Sequence, residues 1–290
     1  MTTKKTAQGK GPITILKSAL YILLTHRVVM LPLFLLAFLQ VWLIEILFFA
    51  PRYPLNIFFG PIIRRLWSET FLHYPFNFIV LQKMFYFVQT PIYIFLGSFA
   101  IAMMISLLKS INDGHAPRLK PAIQETLSRY IHVALAALLA FGLMKGLFKC
   151  YDLIYNRALL IKSTSGKFFF LKQLVLEGSP YFKLLISVLV TILTAYLFPV
   201  IMVDKKKIFS ALILNFKTLF ATFWSTAMVV FIPSVLFVPL LVLRVSLVKG
   251  DYMLDTMLII LVVSVLLSFI VDALIYTGVT TVYLLRKEQE

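Results

Sequence analysis

The chain has 290 residues, of which 61% are hydrophobic and only 14% charged, and its mean hydropathy is +0.94. A soluble domain is about 45–50% apolar and about 25% charged, so this composition excludes an ordinary soluble protein. The net charge of +16 falls mostly between apolar runs, which points to anionic lipid headgroups and away from nucleic acid.

The first twenty residues read MTTKKTAQGKGPITILKSAL. No compact apolar core leads to a small-residue cleavage site there, so the first membrane span is expected to act as the insertion signal. A helix is predicted from Pro12, a residue suited to the first helical turn. Thr14, Lys17, Ser18, Tyr21 and Thr25 share one face, and Ile13, Leu16, Leu20, Leu23 and Leu24 take the other. Spacings of three and four make this helix amphipathic. A first span, Val28–Ala50, follows. The next stretch, PRYPLNIFFGPIIRRLWSETFLHYPFNFIVLQKMFYFVQTP, is dense in aromatics and broken by Pro and Gly. It is too polar to span and too apolar to hang in water. A short interfacial or re-entrant helix is expected, with its rings at headgroup level.

The second span is read as Pro91–Leu108. Beyond it, KPAIQETLSRYIHVALAALLAFG from Lys120 again sets a polar row, Gln124, Glu125, Ser128, Arg129 and His132, before a third span, Ile131–Cys150. YNRALLIKSTSGKFFFLKQLVLEGSP mixes Lys with three Phe and reads as a hairpin or a surface-lying helix. A fourth span covers Leu184–Val203, and Asp204 stands where it can cap the helix after it. That helix, KKKIFSALILNFKTLFATFW, sets Ser210, Lys217, Thr218 and Ala221 against Ile208, Leu212, Phe216, Leu219 and Phe223. It is expected to lie in the interface with Lys205, Lys206 and Lys207 among the headgroups. The simpler alternative is that it extends the fifth span, Trp224–Val245, as one long helix. The sixth span is Leu258–Leu284.

These elements define an all-α, polytopic membrane protein with six transmembrane helices. The amphipathic stretches at Lys17, Lys120 and Phe209 align around Ala19, Ala122 and Ala211. The chain therefore reads as a single membrane domain of three parallel repeats, 12–110, 117–204 and 205–286, each an interfacial helix and a two-helix hairpin. An even number of spans puts both termini on one side. Lys4, Lys5, Lys10, Lys17, Arg27, Lys109, Arg118, Lys120 and Arg129 bias that side towards the cytoplasm. Anionic membrane lipids are the expected partners. Lys17, Arg27, Lys120, Arg129, Lys205, Lys206, Lys207 and Lys217 are the candidate headgroup contacts.

Motifs for acyl transfer, nucleotide phosphate binding and zinc hydrolysis are absent. Cys150 is the only cysteine, and the four histidines are scattered near span ends, so neither cofactor nor metal is expected. Ionisable residues inside spans are costly and usually partnered. Glu45 and Lys145 lie at similar depth in the first and third spans, which suits an ion pair. Asp272, in SFIVDALIYTG, has no evident partner at its depth beyond a polar contact between spans. GLMKG, Gly142 to Gly146, permits a close helix contact.

ILKSALYILLTHRVVMLPLFLL and, later, YLFPVIMVDKKKIFSALILNFKTLFATFW resemble the six-span membrane domain of some bacterial glycerophosphodiester phosphodiesterases and related stand-alone membrane proteins. The matching positions are Phe198-Pro199, Asp204, Ser210-Ala211 and Phe223-Trp224. The resemblance implies a fold and carries over no catalytic residue. The expected function is thus a non-enzymatic, lipid-associated or partner-binding subunit of a membrane assembly in the bacterial inner membrane. The alternative is a small-molecule or ion transporter or channel that uses Glu45, Lys145 and Asp272. A lipid enzyme would need convergent polar groups near a headgroup layer, and no such set is evident.

Overall fold

A computed structural model describes residues 11–66, 68–73, 76–161, 166–249 and 255–289. All regular structure among these residues is helical. Among the described residues six helices are long and apolar enough to cross a membrane: Leu31–Phe49, Leu81–Asn112, Leu119–Leu159, Ser179–Val203, Ile208–Ser234 and Leu258–Lys287. The protein is a multi-pass membrane protein. The basic residues Lys4, Lys5 and Lys10 lie outside the described residues.

Helix α1 (Pro12–Thr25) is separate from α2 (Leu31–Phe49). Pro32 stands in the first turn of α2 and has no N–H to continue a helix through residues 26–30. A short α3 (Asn56–Leu66) follows and buries Gly60 and Ile63 while exposing Ile57, Phe58 and Ile62. This is the short helix expected in the aromatic stretch. The second span is longer than read from sequence: α4 (Phe76–Ile92) and α5 (Ser98–Asn112) are joined by a π-turn, Tyr93–Gly97.

Two boundaries depart further from expectation. The stretch from Lys120 is no separate interfacial helix, because α6 (Leu119–Leu159) runs unbroken for 41 residues. At 1.5 Å per residue that is about 60 Å, roughly twice the hydrocarbon thickness, and no Pro or Gly interrupts it at Tyr130. Likewise the KKKIF stretch enters its span directly in α10 (Ile208–Ser234), with one kink at Thr222 (φ −123°, ψ 21°). The Thr222 hydroxyl donates to the Thr218 carbonyl at 2.8 Å, the kind of local bond that bends helices. The fifth span therefore begins at Ile208 and stops near Pro233, and α11 (Phe237–Lys249) is a distinct helix. Between α6 and α10 lie α7 (Gly166–Glu177), a helix where the sequence predicts a hairpin or a surface-lying helix, α8 (Ser179–Leu193) and α9 (Leu197–Val203). The last helix is α12 (Asp255–Lys287).

The packing runs in a ring. Helix α6 packs on α5, α10 packs on α9, and α1 packs on α12. Each amphipathic stretch thus rests on the returning span that precedes it, the first resting on the last. The aligned small residues are buried in this packing: Ala19 and Ala211 are 0% exposed and Ala122 is 2% exposed. Lipid tails are as apolar as leucine, so burial alone does not drive helices together in a membrane; close packing at small residues does. The returning spans fill the centre, where Ala100 to Leu108 of α5 and Leu197 to Val203 of α9 are all buried. Gly278 lets α12 approach α10, since a Cβ there would lie 2.6 Å from Val229 Cγ1.

Candidate functional site

The ends of α5, α9 and α12 converge with α1 and the starts of α6 and α10 on one face of the bundle, here the terminal face. Three sets of polar contacts tie these ends together. Glu125 of α6 accepts from Ser106 Oγ at 2.5 Å and from Lys109 Nζ at 3.1 Å, both on α5. Asp204, just past α9, accepts from Tyr283 and Lys287 of α12. It therefore joins two spans and does not cap α10, whose N-cap residue is Lys207 with no side-chain cap. Arg286 donates to the Thr218 carbonyl at 3.0 Å, near the carbonyls loosened by the Thr222 kink.

A break between α8 and α9 is held in the same way. Asn215 of α10 is 1% exposed; its Oδ1 accepts from Tyr196 N–H at 2.9 Å and its Nδ2 donates to Leu193 O at 2.8 Å. The Tyr196 hydroxyl lies 2.8 Å from Thr222 Oγ1 and 2.5 Å from Thr226 Oγ1. Asn215 stands outside the polar row read from the sequence, and the sequence carries no sign of a helix break about twenty residues upstream for it to mend.

Two open clefts lie on this face. The larger, about 520 Å³, separates α1 from the ends of α5 and α12. Thr14, Lys17, Ser18 and Tyr21, the polar row of α1, form one wall, and His26 closes its end. The second, about 480 Å³, adjoins it and is lined by Lys109, Asp113, Lys287 and Glu288 among others.

Seven of the eight candidate headgroup residues lie on α1, α6 and α10 or just before α10, and Arg27 lies just past the end of α1. Lys17, Arg27, Lys120, Lys205, Lys206, Lys207 and Lys217 are exposed and Arg129 is half-buried. Among the described residues none of the eight forms an ion pair, in contrast to Lys109 and Lys287. Beside these cations each stretch exposes an apolar ridge: Ile13, Leu20 and Leu24 on α1, Ile123, Leu127 and Ile131 on α6, and Phe209, Ile213 and Phe220 on α10.

The three intramembrane candidates do not meet. Glu45 is exposed on α2 and makes no ion pair with Lys145. Lys145 stands over the Phe141 ring, 5.3 Å from its centroid. Asp272 has a partner that sequence reasoning missed: the Tyr93 hydroxyl donates to its Oδ2 at 2.6 Å. Tyr93 opens the π-turn, and Gly97 makes room for its ring, since a Cβ there would be 3.2 Å from Tyr93 Cγ. Gly142 and Gly146 face open space rather than a neighbouring helix.

Arg244 of α11 was also not singled out by sequence. It donates to the Tyr86 hydroxyl at 2.9 Å and to Ser264 Oγ at 2.6 Å, so it ties α11 to α4 and α12. Among the described residues, no three of His, Cys, Asp and Glu gather as metal ligands.

Compared with models of protein families, with curated proteins and with solved structures, the chain matches none.

Proposed function

We propose that the protein is a non-enzymatic component of the bacterial cytoplasmic membrane, with both termini on the cytoplasmic side. On this reading it associates with anionic lipids through its terminal face and serves as a lipid-associated or partner-binding subunit of a membrane assembly. One observation carries the reading: α1, α6 and α10 each pair an exposed apolar ridge with exposed, unpaired cations at the same face. A helix of that kind seats its ridge among acyl chains and its cations among phosphates. Each basic residue near an anionic surface adds about 1 kcal/mol of attraction. A positive cytoplasmic side also follows the usual orientation bias.

A transporter built on Glu45, Lys145 and Asp272 would need the three to share a pathway, and each has different surroundings. The core argues in the same direction, because buried side chains of α5 and α9 occupy the centre where a central path would run.

Native mass spectrometry after extraction from nanodiscs tests the proposal. The expected result is selective co-purification of anionic over zwitterionic lipid, with or without a stoichiometric protein partner. Equal retention of both lipid classes, with no partner, would sink it.

A further inference from the structure

The larger cleft on the terminal face suits a defined ligand. Its volume of about 520 Å³ falls within the range of small-molecule sites, about 300–1,000 Å³. One wall carries Lys17, Ser18 and Tyr21; the facing wall is apolar over Leu108, Ile111 and Leu284, with Asn112, Thr281 and Glu288 as its polar members. A ligand that satisfies both walls has a charged head and a hydrocarbon body.

Charge decides the sign of that head. Lys109 and Lys287 near the cleft are already taken up by Glu125 and Asp204. Glu288, on the far side, accepts from Asn112 Nδ2 at 3.4 Å. Lys17 lines the cleft and forms no ion pair, with the Tyr21 hydroxyl and His26 on the same side as further polar groups. At the α1 wall an anionic head meets an uncommitted cation and stands across the cleft from the Glu288 carboxylate, whereas a cationic head at that wall would meet Lys17 directly.

Depth supplies the body. On its outward side α1 exposes Ile13, Leu20 and Leu24, so the helix seats at the membrane surface and the cleft mouth opens at headgroup level.

We propose that the cleft between α1 and α12 is a binding site for the phosphate-bearing head of one anionic amphiphile. Lys17 and Tyr21 hold the phosphate, and the apolar wall takes the first part of the chain. The inference rests on the lipid-associated reading above and narrows it to one site.

Phosphatidylglycerol and phosphatidylcholine serve as probes, supplied in mixed nanodiscs, with glycerol phosphate as a water-soluble phosphate ester. Retained lipid is counted by native mass spectrometry of the full chain. The expected result is one tightly held phosphatidylglycerol per chain. Lys17→Gln, at an exposed position that leaves the fold intact, lowers the retained fraction about tenfold at limiting lipid, the loss of one charge-assisted contact. Thr281→Trp, which fills the cleft from α12, does the same, and Lys149→Gln, remote from the cleft, leaves retention unchanged. If both cleft variants retain phosphatidylglycerol like the wild type, the site is overturned while lipid association elsewhere on the face stands. If the wild type shows no preference for phosphatidylglycerol, both proposals fall. If glycerol phosphate displaces the lipid at equal concentration, the cleft recognises a soluble phosphate ester and the amphiphile is overturned.

Discussion

Asn215 and Tyr196 are joined side chain to main chain across the break between α8 and α9. One buried amide satisfies the Tyr196 N–H and the Leu193 carbonyl, both left without a regular helical course by the interruption. In hydrocarbon neither group has water to fall back on. Asn215→Leu keeps the bulk and strands both, at about 1–3 kcal/mol for each group. Thermal unfolding in detergent should show a clearly lowered midpoint, with Asn215→Asp, which keeps the acceptor, in between. A wild-type midpoint for Asn215→Leu would mean that the break is held by something else.

Gly278 sets the separation of α10 and α12. A Cβ at that position would sit 2.6 Å from Val229 Cγ1, and Val229 is fully buried with no room to give. Gly278→Ala should therefore cost about 1–3 kcal/mol through overpacking, even though alanine is the better helix former. The companion change Val229→Ala makes the space and should restore part of the loss. Additive losses in the double variant would show that the two positions do not press on each other.

The class of fold was legible in the sequence because twenty-residue apolar runs have few alternative fates. All six spans lie where such runs occur. Their ends were less legible. Residues 119–130 carry polar side chains on one face, a pattern that serves an interfacial helix and the projecting end of a long span equally well, and nothing local separates the two. The site was only partly legible. Exposed cations such as Lys17 and Lys205 to Lys207 announce themselves by type and position. Pairings such as Tyr93 with Asp272, 179 residues apart, depend on which spans become neighbours, and hydropathy carries no such information. Arg244 escaped notice because a single arginine within VLFVPLLVLRVSLV looks like an ordinary span-end residue.

Lys109 and Glu125 clasp α5 to α6 with Ser106 as a third member. The two charged side chains are 24% and 25% exposed, so the pair is shielded from water more than a surface pair. A double-mutant cycle with Lys109→Met and Glu125→Gln should give a coupling energy of about 1 kcal/mol, above the typical exposed pair. Raising the salt concentration to 1 M should reduce it only in part, since the partners are half-sheltered. A coupling indistinguishable from zero would place the stability of this contact in Ser106 and the surrounding packing.

Asp272 offers the sharpest separation between a scaffold and a transporter. The Tyr93 hydroxyl donates to its carboxyl at 2.6 Å, so what the fold asks of residue 272 is an acceptor oxygen. Asp272→Asn retains that oxygen and should leave the unfolding midpoint close to wild type. Asp272→Leu removes it and leaves the phenol without its partner, at a cost of about 1–3 kcal/mol. Tyr93→Phe in the Asp272→Leu background should recover part of that cost, because removing both partners spares the stranded group. A lipid-associated protein carrying Asp272→Asn should hold anionic lipid as the wild type does. A carrier that moves protons through this carboxyl would lose all pH-gradient dissipation in reconstituted vesicles with the same change. Wild-type vesicles loaded with a pH-sensitive dye are therefore expected to show no flux above protein-free vesicles. Flux present in the wild type and absent in Asp272→Asn would overturn the lipid-associated reading in favour of transport.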